Sequence, residues 1–140
     1  MIRKKILVTG GSGFIGTNFI KLLIEETDHL VINVDNITYA SNNYNEKYDT
    51  GDGRYLFFKQ DIVNKSLLSE IFEECKPDMV VNFAAESHVD RSIDSPTIFI
   101  QSNILGTQNL IELALDFNVE RYLQISTDEV YGDLTLDEPP

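Results

Sequence analysis

Three groups of residues have the types and spacing to do chemistry: Gly10-Gly11-Ser12-Gly13-Phe14-Ile15-Gly16, the acid Asp35, and the adjacent acids Asp128-Glu129. The glycines follow the strand-like run Lys5-Ile6-Leu7-Val8-Thr9 and lead into a helical pattern of Phe14, Ile15, Phe19, Ile20, Leu22 and Leu23. Glycines at this spacing are a plain turn in most settings. Between a buried strand and an amphipathic helix they form a dinucleotide fingerprint. One glycine allows the tight turn, one lets backbone approach a pyrophosphate, and one lets the helix pack close to the strand. The helix start then offers free N–H groups and a positive dipole end to the phosphates.

Asp35 closes the apolar segment Leu30-Val31-Ile32-Asn33-Val34, at the distance beyond the glycines where the fingerprint expects an acid. A carboxylate there accepts hydrogen bonds from the adenosine ribose hydroxyls and repels a 2′-phosphate. No Arg or Lys follows in Asn36-Ile37-Thr38-Tyr39, so the pattern favours NAD over NADP. The plain alternative is an Asp that caps a turn. The pair Asp128-Glu129 has less weight by itself. With 23 acidic residues in 140, chance alone gives about four adjacent acidic pairs, and the chain has four. What raises this pair is its place after a strand, beside Thr127. Neighbouring carboxyls in different surroundings can serve as acid and base; the alternative is a pair of solvated turn acids.

The elements that must position these groups alternate. Strands are expected near 4–9, 30–35, 55–60, 78–83 and 121–126, and helices near 14–26, 65–75 and 96–117. Such alternation predicts an α/β, Rossmann-type doubly wound parallel sheet with helices on both faces. Right-handed crossovers and a ligand at the switch point give the strand order 3-2-1-4-5. About 18 residues without helical period join the second and third strands, a length that is usually functional. The long helix opens at Ser95-Pro96 and is apolar over more than one stripe, from Ile98 to Leu115. It should be buried on two sides, against another subunit or a further part of the same protein.

Ligands of an open parallel sheet lie beyond the carboxyl ends of the strands. Three polar clusters fall there: Asp61-Ile62, Ala84-Ala85-Glu86-Ser87-His88-Val89-Asp90-Arg91-Ser92, and Ser126-Thr127-Asp128-Glu129-Val130-Tyr131-Gly132. His88 reads as a hydrogen-bonding group, because no second His or Cys lies at ligand spacing; no metal is expected. Arg91 reads first as half of a local ion pair, and second as a contact to a partner's phosphate.

Composition narrows the remaining classes. A net charge of −12 argues against a nucleic-acid surface but not against a dinucleotide held by backbone N–H groups. No apolar run approaches the length of a membrane span. The basic start Arg3-Lys4-Lys5 is followed by too few apolar residues for a signal peptide, so a cytoplasmic location is expected. Cys75, the single cysteine, should pack as a small apolar residue. Asn36-Ile37-Thr38 and Asn64-Lys65-Ser66 then read as chance matches to glycosylation acceptors.

Thr9-Gly10-Gly11-Ser12-Gly13-Phe14-Ile15-Gly16 resembles the opening of the extended short-chain dehydrogenase/reductases. Glu86-Ser87-His88-Val89-Asp90-Arg91-Ser92, Thr127-Asp128-Glu129-Val130-Tyr131-Gly132 and Val34-Asp35-Asn36-Ile37-Thr38-Tyr39-Ala40 resemble one branch, the dTDP-glucose 4,6-dehydratases. The resemblance runs over essentially the whole chain. It implies NAD as cofactor and a redox-neutral elimination in which hydride leaves the sugar's C4 and returns to C6. By carry-over, Glu129 would abstract the C5 proton, Asp128 would protonate the departing C6 hydroxyl, and Thr127 and Ser87 would hold the sugar. Gly10, Gly13, Phe14, Ile15, Gly16, Asp35, Asn36, Ile37, Thr38, Asp61, Ile62, Phe83, Ala84, Ala85, Glu86, Ser87 and Ser102 would line the cofactor, with Ser102 standing where the family usually has Thr.

The family's hydride step uses a Tyr-x-x-x-Lys pair on a helix. Tyr55-Leu56-Phe57-Phe58-Lys59 matches that spacing but reads as the third strand, where roughly 13 Å would part the two side chains. Residues 1–140 are therefore expected to form an incomplete NAD-binding domain without its substrate domain. Alone it should bind NAD weakly and not turn over, and in the longer protein it should form a homodimer. Two alternatives are another sugar-nucleotide epimerase, decarboxylase or dehydratase, and a non-catalytic NAD-binding module.

Overall fold

The computed structural model describes residues 2–42, 48 and 51–132. Five parallel strands, β1 (Lys5–Thr9), β2 (Leu30–Asp35), β3 (Tyr55–Lys59), β4 (Met79–Asn82) and β5 (Arg121–Gln124), form one sheet in the order β3-β2-β1-β4-β5. That is the order expected from the handedness of the crossovers. The register sets Thr9 between Val34 and Asn82, so the ends of β1, β2 and β4 open onto one rim.

Side-chain alternation divides the sheet between two cores. Ile6, Val8, Val31 and Val81 face α1 (Phe14–Glu26), meeting Ile20 and Leu23. Leu7, Ile32, Val34 and Val80 face the other way, against Leu68, Ile71 and Phe72 of α2 (Lys65–Cys75) and Leu110 and Leu113. Truncating a fully buried side chain such as Leu7 or Phe72 to Ala would cost about 2–5 kcal/mol. Cys75 packs in the second core, and burial pushes its thiol pKa up. Tyr55–Lys59 is β3, so the Tyr-x-x-x-Lys spacing falls on a strand.

Two local features depart from the expectation. A short helix α3 (Val89–Asp94), for which no helix is expected, begins within the polar cluster after β4. The expected helix 96–117 is composite: α4 (Pro96–Phe99), a π-helical segment Ile100–Gly106, and α5 (Thr107–Asp116). Its inner face is buried through Leu110, Leu113 and Ala114, while Ile100, Ile104 and Leu115 on the outer face are exposed. Burial on two sides is therefore met on one side only within this chain. No helix among the described residues is long and apolar enough to cross a membrane.

Candidate functional site

The turn between β1 and α1 is built by contacts that demand glycine. Gly10 has φ +66°, and a Cβ there would meet Ala84 N at 2.6 Å. The β1 turn and the loop after β4 thus touch backbone to backbone. A Cβ on Gly16 would strike Gly10 O, so its bareness lets α1 sit on the turn. Gly11 faces away, against Asn33 and Ile20. Gly13 differs: a Cβ would find only Gly10 O, at 3.3 Å. Its bare side is the open approach to the helix start.

Gly13 is also the N-cap of α1, where no side chain accepts a hydrogen bond and no acid occupies the first turn. By contrast, Asn64 caps α2 by accepting from Leu67 N–H. The uncapped first-turn amides and dipole of α1 suit an anion.

Asp35 lies across this turn, 7% exposed. Its Oδ2 accepts from Ser12 N–H at 2.9 Å, and its Oδ1 accepts from Ile37 N–H at 2.8 Å and Ser41 Oγ at 3.3 Å. The turn-capping and ribose-binding readings of Asp35 are thereby compatible: it caps its own loop, and three contacts leave room at a carboxylate for a further donor. Asp61 orders the next loop, accepting from Val63 N–H and from Asn36 Nδ2.

One cleft over this rim collects most of the expected cofactor residues: Gly10, Gly13, Asp35, Asn36, Thr38, Asp61, Ile62, Phe83, Ala84, Ala85, Glu86 and Ser102. Val34 and Ala40, which end the motif around Asp35 without a cofactor role being expected of them, join them, as do Ser41 and Gln60, which lie in no motif. The described lining contains Asp35, Asp61 and Glu86 but no Lys or Arg, which is unfavourable for a 2′-phosphate.

The other expected residues lie outside that lining. Phe14 and Ile15 open α1 and are 78% and 60% exposed, while Gly16 is buried in its packing with the turn. Ile37, at φ 55°, turns its N–H onto Asp35. Ser87 follows Glu86 and is exposed. Thr127 precedes a 3-10 turn, Asp128–Tyr131, and both acids there are exposed. Thr127 Oγ1 accepts from Glu129 N–H at 3.4 Å and lies 3.5 Å from Asp128 Oδ1.

Arg91 lies over the Tyr39 ring at 4.0 Å, and the His88 ring stands 6.0 Å from the same ring. Among the described residues Arg91 thus meets an aromatic face, and no ion pair there joins it to the expected local acid. Among the described residues no three His, Cys, Asp or Glu side chains gather as metal ligands.

Residues 7–140 match the family model described as GDP-mannose 4,6 dehydratase. The dTDP-glucose 4,6-dehydratase of Haemophilus influenzae is 47% identical over 143 residues, covering 96% of this chain and 42% of that protein. The crystal structure of DesIV, a dTDP-glucose 4,6-dehydratase from Streptomyces venezuelae with NAD and TYD bound, matches with TM-score 0.83 and 41% identity. It covers 94% of this chain and 42% of DesIV. A UDP-glucose 4-epimerase with UDP-glucose from Thermotoga maritima matches at TM-score 0.84 and 31% identity, over 97% of this chain and 42% of the epimerase. The chain thus spans about two-fifths of the length of these relatives. With its glycine turn, strand order and nearly full-length match, the chain belongs to the GDP-mannose 4,6 dehydratase family.

Proposed function

We propose that this chain is the NAD-binding part of a nucleotide-sugar 4,6-dehydratase, with dTDP-glucose as the substrate of the longer protein. The observation that carries the reading is the single cleft joining Gly10, Gly13 and Asp35 in a chain with dTDP-glucose 4,6-dehydratase relatives. Uncapped amides at the start of α1 would hold the pyrophosphate, Asp35 the adenosine ribose, and Ala84 to Glu86 with Ser102 the far half of the dinucleotide.

Bound NAD supplies the place where the C4 hydride is kept until it is returned to C6. Oxidation at C4, with the hydroxyl proton passing to the base that the family supplies from its Tyr-x-x-x-Lys pair, would make the C5 proton acidic. Glu129 would then take that proton, and Asp128 would protonate the C6 hydroxyl so that it leaves as water. After hydride returns to C6, Glu129 would give the proton back to C5. The net change is loss of water with no net oxidation. Thr127 and Ser87 would hold the sugar, and the exposure of Thr127, Asp128 and Glu129 is compatible with a substrate reaching them from outside the cleft. The reading includes a cytoplasmic homodimer, to which the exposed Ile100, Ile104 and Leu115 would contribute.

The test supplies the gene product with NAD and dTDP-glucose, UDP-glucose or GDP-mannose. Loss of water from dTDP-glucose to give a 4-keto-6-deoxy sugar supports the reading. Dehydration of GDP-mannose instead would reassign the substrate, as the family description allows. A C4 epimer of UDP-glucose would favour the epimerase reading, for which the Thermotoga maritima match speaks. NAD binding without turnover of any sugar by a protein of the relatives' length would favour a non-catalytic module. The 140 residues alone should hold NAD without turnover.

A further inference from the structure

Tyr39 joins the two walls of the cleft from outside. It sits in the turn Thr38–Ser41, which Ser41 N–H closes by donating to Thr38 O at 3.1 Å. The base of that turn is fixed. Ser41 Oγ donates to Asp35 Oδ1 at 3.3 Å, and Asn42 N–H donates to Ser12 O at 2.6 Å. Thr38 and Ala40, on either side of Tyr39, line the cleft. Tyr39 does not, and at 56% exposure it stands on the solvent side of them.

From there its side chain reaches the opposite wall. The Arg91 guanidinium lies over its ring at 4.0 Å, and its hydroxyl is 3.5 Å from Glu86 Oε2. The hydroxyl contact is at the limit of a hydrogen bond, so the cation over the ring is the stronger of the two. Glu86 lines the cleft, whereas Arg91, on α3 just beyond it, does not. The bridge thus ties the loop after β2 to the loop after β4 without filling the space between them.

We propose that Tyr39 and Arg91 form a gate across the mouth of the cleft, which sets how fast the dinucleotide enters and leaves rather than how tightly it binds. This rests on the NAD reading above. With adenosine at Asp35 and Asp61 and the other half at Ala84 to Glu86, the dinucleotide spans the same gap that the bridge crosses. It lies beneath the bridge and must pass it. Neither partner lines the cleft, so the bridge stands equally over a filled cleft and an empty one. Such a bridge lowers the open fraction in both states and leaves the equilibrium between them unchanged. Because Asp35 and Ser12 pin the base of the turn, opening falls to the two side chains.

The test follows NADH fluorescence in stopped flow, by mixing NADH with the chain for entry and chasing it with excess NAD for release. Arg91→Met should speed both rates by about two- to fivefold, the worth of an exposed cation–π contact, and hold Kd within about 1.5-fold. Tyr39→Leu should do the same, and the double variant should be no faster than either single one, because the two side chains make one contact. Tyr39→Phe keeps the ring and should match the wild type. Both residues are exposed, so the thermal midpoint should change little in every variant. Unchanged rates in Arg91→Met, weaker binding with unchanged entry, or additive effects in the double variant would overturn the proposal. Absence of NADH binding by the wild type would overturn the NAD reading first, and this inference with it.

Discussion

The backbone amide of Ser12 donates to the carboxylate of Asp35 at 2.9 Å. The acid at the tip of β2 is thus locked to the turn whose glycines open onto the cleft. A shift of either loop would disturb the other, so the pyrophosphate and ribose contacts proposed for them form one unit.

Asp35→Asn tests that unit. An amide cannot accept at both ends, so Ser12 N–H or Ile37 N–H would face an NH2 group. Stability should fall by about 1–3 kcal/mol, the cost of an unsatisfied buried group. NAD affinity should fall by more than about tenfold. Chemical denaturation and calorimetric titration measure the two effects separately.

Gly10→Ala and Gly13→Ala should separate folding from binding. At Gly10 the added methyl meets the Ala84 and Phe83 backbone and φ is positive, so destabilisation should reach about 2 kcal/mol or more. At Gly13 the methyl needs only a slight shift of Gly10 O. Its thermal midpoint should change little while NAD binding weakens strongly, because the methyl stands where a phosphate must approach. A Gly13→Ala chain binding NAD like wild type would place the pyrophosphate elsewhere.

Tyr55 provides a pH signature. Burial pushes its phenol up to about 12, against a lowering contribution from its hydrogen bond with Asn33. The folded state therefore keeps this proton after the unfolded chain has lost it near pH 10. The resulting stabilisation is complete below about pH 10 and is lost as pH rises toward 12, on the order of 2 kcal/mol in all. Urea denaturation across that range should show the slope, and Tyr55→Phe should flatten it.

The two acids after β5 make a kinetic prediction for the protein that turns over. Glu129→Gln should abolish exchange of the sugar's C5 proton with solvent deuterium. Asp128→Asn should retain that exchange yet lose water elimination, each by about a hundredfold or more in rate. NAD affinity should be unchanged in both, since neither side chain lines the cleft. Equal loss of exchange in both variants would contradict the division of roles.

How much of this was legible in the sequence follows from how each signal arises. α1 and α2 begin and end where periodicity placed them, because each has one apolar stripe and a clear boundary, Gly13 for one and Asn64 for the other. The strand order followed from chain alternation and crossover handedness. The π segment was not legible: a widened turn leaves no residue signature, and its drift looked like an unusually broad apolar face from Ile98 to Leu115. Helix α3 escaped because Val89–Asp94 has fewer than two turns and no apolar period. Ser41 was missed because it lies in the long aperiodic connection after β2 and Gln60 because no motif names it, while Val34 and Ala40 stood at the ends of the Asp35 motif with no polar group to suggest a contact. Asn103 was invisible for another reason. Its hydrogen bonds with the Glu86 backbone join residues 17 apart, and only the fold brings them together.

Calorimetric titration of the wild-type chain with NAD and, in parallel, NADP tests the central claim most directly. Saturable one-to-one binding of NAD, with NADP weaker by about tenfold or more, is the expected result, because Asp35 and the acidic cleft oppose a 2′-phosphate. No saturable binding of either dinucleotide, or tighter binding of NADP, would contradict the account.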